Sequence, residues 1–262
     1  MATYTANLNV MVKAARSAAR GLVRDFGEVE NLQVSVKGVS DFVSNADVKA
    51  EEIIKAELTY ARPAYGWMGE ESEETIGDDE TRRWIVDPLD GTTNFLHGLP
   101  HWAISIAMEH KGEVVAAVIL DPVKDEMFTA EKGQGAWVNG RRIRVSARRD
   151  LSECVFATGI PFGSKKTMPE MTQELIRLMP LCAGVRRFGA AALDLAYVAA
   201  GRYEGYWERE LNAWDVAAGL LLVKEAGGHV GDIHGGKDVF GTGTVLASNA
   251  EVHNRFVKAL AG

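Results

Sequence analysis

Apolar residues Leu8, Met11, Val12, Ala15, Ala19, Leu22 and Val23 recur three or four positions apart between residues 7 and 26, the spacing of one helix face. A second amphipathic helix is predicted from about residue 46 to 61, where Pro63 stops it. The intervening NLQVSVKGVSDFVSN is polar and contains glycine, and reads as a hairpin or mobile loop. Two short strands follow, at residues 65–68 and 83–86, each ending in an acidic cluster. From residue 103 to 145, ISIAMEH, VVAAVIL, EMFTAE, AWVNG and RRIRVS read as an antiparallel meander, with KGE, DPVKDE and KGQG as its turns.

Beyond Ser146 the pattern alternates strand and helix. CVFATGI precedes a helix near residues 168–179, GVRRF precedes AALDLAYVAAG, and EGYW precedes AWDVAAGLLLVKEAG. VGDI, TVLAS and the helix VHNRFVKAL complete the chain. The expected class is α/β, with an α+β first lobe over residues 1–146 and a mixed α/β second lobe over residues 147–262. No repeat, low-complexity tract or flexible linker separates them.

Composition fits this picture: 47% of the 262 residues are hydrophobic and 25% charged, which suits a globular chain with a sizeable core. No apolar run approaches the ~18 residues of a membrane span, and the opening stretch lacks the order of a secretory signal. Cys154 and Cys182 are too few and unpatterned for a disulfide framework or zinc site, and read as buried thiols in a reducing cytoplasm. The net charge of −7 argues against general nucleic-acid binding. The arginines of RRIR, Arg148–Arg149 and Arg186–Arg187 read as solvated surface charge.

The densest chemistry lies in RRWIVDPLDGTTNF. A buried-type strand runs into Asp87, Pro88 removes a backbone donor, Asp90 follows, and Gly91 permits a turn closed to most residues. Thr92, Thr93 and Asn94 suit the first turn of a short helix reaching toward His97. Two carboxylates would then share one strand-to-helix turn, beside backbone N–H groups that favour an anion. Oxygen ligands of this kind suit a hard cation such as magnesium. Glu70 and Glu71 in GEES, and Asp215 at the start of an apolar helix, are placed to complete such a set. Each also has an ordinary explanation: Asp-Pro and Asp-Gly are common in turns, Asp215 suits a helix N-terminus, and the acidic residues after Glu71 form a solvated loop. His97, His101 and His110 read as structural or exposed.

GEES, WIVDPLDGTTNF and WDVAAGLLLVKEAGG, in this order, resemble the inositol monophosphatase family, closest to its bacterial inositol-1-monophosphatases. The likeness runs through SDFVSNAD, KGQGAWVNG and AALDLAYVAAGR and covers nearly the whole chain. It implies a layered αβαβα sugar-phosphatase fold with the site between the lobes, and magnesium-dependent hydrolysis of a phosphomonoester, above all myo-inositol 1-phosphate. It further implies two to three Mg2+ per site. Glu70, Asp87 and the Leu89 carbonyl would take the first, Asp87, Asp90 and Asp215 the second, and Glu70 with water a third. Thr92 with Glu70 would activate the attacking water, Gly91 and Thr92 would contact phosphate, and Lys37 would reach the site from a mobile loop. Glu208 would bind the leaving group's hydroxyls, assisted by the backbone near Ala191.

Some features depart from the family. Ala190 replaces a usual hydroxyl residue, Arg209 and Glu210 add charge expected at the pocket rim, and GSKKTMPE reads as a variable loop. Histidinol-phosphate, fructose-1,6-bisphosphate and nucleotide 3′-phosphate phosphatases share the metal chemistry and remain alternatives. The resemblance also implies a homodimer and an association with transcription or RNA-processing complexes.

Overall fold

Two amphipathic helices need an apolar surface to cover, and a long sheet supplies it. The computed structural model describes residues 4–32, 36–160 and 167–261, and only the backbone of those among residues 30–44. Helices α1 (Ala6–Leu32) and α2 (Val36–Ala61) pack together. The stripe Leu8, Met11, Ala15 and Leu22 joins Ala50, Ile54 and Leu58 over Trp84, Ile104, Ile106 and Val118. That sheet has seven strands in sequence order: β1 (Tyr65–Gly69), β2 (Asp79–Asp90), β3 (Ala103–His110), β4 (Glu113–Asp121), β5 (Glu126–Glu131), β6 (Gly135–Val138) and β7 (Arg141–Ile143). β1 and β2 are parallel and the other neighbours antiparallel. A short helix, α3 (Thr92–Leu96), follows β2.

The second sheet combines β8 (Val155–Thr158), β9 (Gly184–Arg186), β10 (Gly205–Arg209), β11 (His229–Gly231) and β12 (Thr244–Ser248) in the order β11-β12-β10-β8-β9. β8 is parallel to β9 and β10, whereas β12 is antiparallel to β10 and β11. Its outer face is covered by α4 (Met168–Leu178) and α8 (His253–Ala261), through Leu178, Phe256 and Leu260 against Phe156, Trp207 and Leu246. Between the sheets lie α5 (Ala191–Ala199) and α6 (Ala213–Glu225). A helix covered on both sides must be apolar all round, and every residue of α5 is buried. The layers therefore run α/β/α/β/α, as expected. One continuous core links Ile119 and Phe128 of the first sheet to Tyr206 and Val245 of the second.

Several elements differ from the sequence expectations. The segment expected as a hairpin or loop, residues 31–45, is helical at residues 31–32 and again from Val36. The buried stripe Ala46, Ala50, Ile54 and Leu58 supplies a nucleus, and extending a formed helix costs little per residue. The Lys37 side chain and residues 161–166, which include 163–166 of the expected variable loop, lie outside the described parts. β2 begins earlier than expected and runs through Pro88, which is accommodated where the register with β3 shifts between Asp87 and Asp90. A short helix, α7 (Val239–Thr242), had no apolar period to reveal it. Both cysteines are free, but only Cys154 is buried; Cys182 is half-buried, after the exposed Met179 and Leu181 that follow α4. Arg148 is no idle surface charge, since it pairs with the fully buried Glu204 at 2.8 Å. Among the described residues, no helix is long and apolar enough to cross a membrane.

The α5–α6 contact depends on Gly219, where a Cβ would stand 2.5 Å from Leu195 Cβ. Gly21, in α1, has no such neighbour within 4 Å. Chemical denaturation should therefore separate two changes of identical chemistry. Gly219→Ala should lose about 1–3 kcal/mol through overpacking, whereas Gly21→Ala should gain about 0.5–1 kcal/mol. Equal effects would show that the α5–α6 spacing is not restrictive.

Candidate active site

β1 and β2 run parallel, so their C-terminal ends deliver Glu70 and the Asp87–Asp90 segment to the same edge of the first sheet. The GEES turn is anchored from behind by α2. Glu51 accepts the Glu71 N–H at 2.9 Å and packs on Gly69, where a Cβ would lie 2.5 Å from Glu51 Oε2. Ser72 Oγ accepts from Trp67 Nε1 at 3.0 Å. Glu70 is thereby left at the rim, close enough to Asp87 for the two carboxyls to influence each other.

Asp87 is 2% exposed, and its Oδ1 accepts the Leu89 N–H at 2.9 Å. Asp90, also buried, accepts the Ala191 and Ala192 N–H groups at 3.2 and 2.8 Å. The start of α5 thus fixes a carboxylate that belongs to the first sheet. Gly91 has φ 96°, and a Cβ would come within 3.1 Å of the His101 carbonyl. Thr92 Oγ1 donates to the Leu89 carbonyl at 3.1 Å. Asn94 Nδ2 donates to the carbonyls of His101 and Phe188, 2.7 Å each, and ties α3 across to the second half of the chain. Asp215, in the first turn of α6, accepts the Asn212 N–H at 2.7 Å.

These carboxylates act on one another. Burial raises Asp87 well above the usual carboxylate range, and the charges of Glu70, Asp90 and Asp215 raise it further. Asp90 is also pushed far up by burial and by Asp215, against the pull of the Ala192 and Ala191 amides. Burial is the main cause that lifts Glu70 to about 7 and Asp215 to about 6. Excluded water and like charge both penalise ionisation, and a bound cation would relieve both. The donors are all oxygens, which fits a hard divalent ion. Among the described residues, no three Asp, Glu, His or Cys side chains are grouped to hold a metal by themselves. Magnesium does not require that, since one or two carboxylates with water and substrate oxygens usually suffice.

Glu208 faces the same region from β10. It accepts the Tyr206 phenol, and burial lifts it to about 7 while Arg187 pulls it back. The expected Ala191 contact begins from an amide already engaged by Asp90. Arg209 departs from expectation. Successive strand residues face opposite sides, so Arg209 is buried behind β10 against Glu174, not at the pocket rim. Glu210 accepts from Thr167 at 2.8 Å.

Sequence reading missed Asp47, Glu51 and Asp194. Asp47 is buried and raised to about 8, first by burial and then by Glu71 and Glu70. Its signal was available, because Asp47 and Glu51 are spaced one helical turn apart beside the apolar stripe Ala46, Ala50 and Ile54. Asp194 is 1% exposed, and neither carboxyl oxygen has a partner among the described residues. Its electrostatic neighbours include Glu208 and Asp90.

With this geometry in view, kinship is informative. The model of the "Inositol monophosphatase family" matches residues 4–261. The chain is similar to an inositol-1-monophosphatase of Rhizobium meliloti, 56% identical over 95% of this chain and 93% of that one. It is 46% identical to the Nus factor SuhB of Escherichia coli K12, over 94% and 92% of the two chains. The solved structure of the extragenic suppressor protein suhB from Bartonella henselae superposes with a TM-score of 0.91, at 56% identity and 98% coverage of both.

His101 gives a pH test away from the carboxylates. Its ring packs against Phe188 and Tyr197, and burial, helped by Lys124, lowers it to about 4. An unfolded histidine protonates near 6.5, so this contribution to stability is complete above about pH 6.5 and declines as pH falls toward 4. His101→Phe should flatten the dependence of melting temperature on pH between 6.5 and 4.5. An unchanged slope would mean that the ring titrates normally.

Proposed function

Because the chain belongs to the inositol monophosphatase family, a family of phosphatases, we propose that it hydrolyses a polyol phosphomonoester with Mg2+, myo-inositol 1-phosphate first. The carrying observation is the mutual electrostatic influence of Glu70, Asp87, Asp90 and Asp215, brought together from β1, β2 and α6. Glu70, Asp87 and the Leu89 carbonyl would hold one cation, Asp87, Asp90 and Asp215 a second, and Glu70 with water a third. When bound, such a pair stabilises the attacking and leaving oxygens and makes water a usable nucleophile near neutral pH.

The protein's own groups then have separable tasks. Thr92 gives its hydroxyl proton to the Leu89 carbonyl, which leaves its oxygen lone pairs to accept from the attacking water. Glu70, at the rim beside Asp87, would take that water's proton. Gly91 and Thr92 amides would orient phosphate. Tyr206 occupies one oxygen of Glu208, so the other can accept a hydroxyl of the leaving group. The carboxylates of Asp194 and Asp90 near Glu208, opposed by the single charge of Arg187, favour hydroxyl donors over a second phosphate. Kinship extends the proposal to a homodimer in a reducing cytoplasm. The name Nus factor SuhB on relatives supports a second role, association with a transcription complex.

Phosphate release should be compared for myo-inositol 1-phosphate, histidinol phosphate, fructose 1,6-bisphosphate and adenosine 3′,5′-bisphosphate. The highest kcat/KM is expected for the inositol ester, and preference for a bisphosphate would overturn the leaving-group assignment. Asp87→Asn should lower kcat/KM by about 10²–10³-fold or more, the scale of losing one electrostatic stabiliser of the transition state. Near-normal turnover in that variant would sink the two-cation mechanism.

A further inference from the structure

Glu208 stands where β10 loses a neighbour. β12 pairs with β10 along its whole length, from Gly205 to Arg209, but β8 pairs only with Gly205, Tyr206 and Trp207. Thr158 Oγ1 closes that ladder by donating to the Trp207 carbonyl at 2.7 Å. Beyond it, Glu208 leans across Gly159, where a Cβ would fall 1.7 Å from Oε1. The strand end that carries Glu208 is therefore gripped from one side only within the sheet.

The missing grip comes from behind. Strand alternation puts Tyr206 and Glu208 on the face toward α5, and Trp207 and Arg209 on the face toward α4. One carboxylate, Glu174 of α4, receives both: Oε2 accepts Trp207 Nε1 at 3.0 Å and Oε1 accepts the Arg209 guanidinium. Glu174 is 4% exposed and Arg209 8%. Glu170 adds a longer ion pair to Arg209 at 3.6 Å, and Thr167 donates to Glu210 at 2.8 Å. Apolar side chains of similar volume would fill this layer without desolvating two charges, so stability alone does not require Glu174. What the pair adds is direction: both residues flanking Glu208 are fixed by two oxygens of one rigid group.

We infer that Glu174 is a positioning residue for leaving-group recognition, holding the end of β10 so that Glu208 faces the substrate. The inference rests on the proposed contact between Glu208 and the leaving group. Its test is a double-mutant cycle read with myo-inositol 1-phosphate and with phenyl phosphate, whose leaving group has no further hydroxyls. Glu174→Gln keeps one good acceptor and loses the other. Trp207→Phe removes a single hydrogen bond to the same carboxylate while keeping an aromatic ring against Phe256. In folded protein, verified by thermal melting, each should raise KM for the inositol ester about tenfold, the scale of a lost hydrogen bond, with kcat changed less than about twofold. KM for phenyl phosphate should barely move. In a Glu208→Gln background, Glu174→Gln should add less than about twofold, because the group it positions is already altered.

A full tenfold effect persisting in that background would overturn the inference, as would an unchanged KM in both single variants. If Glu208→Gln itself leaves the preference for inositol over phenyl ester intact, the assignment of Glu208 has failed, and the inference falls with it.

Discussion

Repulsion among crowded carboxylates, two of them buried, is the constraint on which the site depends. Left to themselves, Glu70, Asp87, Asp90 and Asp215 would separate into water: Asp87 and Asp90 are buried, Asp215 is half-buried, Glu70 sits at the rim, and loss of water and proximity both disfavour their charged forms. Each is held by a different device. Glu51 braces the turn that carries Glu70, a register shift in β2 lets Asp87 receive the Leu89 amide, and α5 grips Asp90 with two N–H groups. Asp215 is fastened by its own helix start. Such fixed anionic oxygens are expensive in an empty protein and well suited to a divalent cation, so stability is exchanged for pre-organisation.

The layered fold lets separate parts of the chain share that burden. α5 and α6 are wedged between the sheets, with Gly219 allowing their close approach. One helix secures Asp90 and the other presents Asp215, so a carboxylate of β2 is held by a helix about a hundred residues later in sequence. On the far side of the second sheet, strand alternation separates two tasks within β10: Glu208 faces the site, while Trp207 and Arg209 anchor the strand to α4.

Much of this was legible in the sequence because it is local. The meander from Ala103 onward announced itself by short apolar strands separated by turn formers, the buried helices by largely apolar runs, and the Asp87–Asp90 pair by its strand, proline and glycine context. Local spacing also carried Glu70 and Asp215 as candidates, but their approach to Asp87 depends on long-range packing. The same limit hid Glu174, which resembles any acidic residue on an amphipathic helix until Trp207 and Arg209 are brought against it. The polar segment between α1 and α2 misled in the opposite direction. Glycine and β-branched residues weakened its local helix signal, whereas the structure propagates α2 back from a buried stripe.

Direct observation of cations on these carboxylates gives the sharpest test of the site. Crystals grown with Mn2+ and inorganic phosphate, measured at the manganese absorption edge, would locate them. The carboxylate arrangement predicts two strong anomalous peaks roughly 3.5–4 Å apart, one beside Glu70, Asp87 and the Leu89 carbonyl and one beside Asp87, Asp90 and Asp215, with phosphate next to Gly91 and Thr92. Cations bound only elsewhere, or phosphate held with no cation at Asp87, would contradict it.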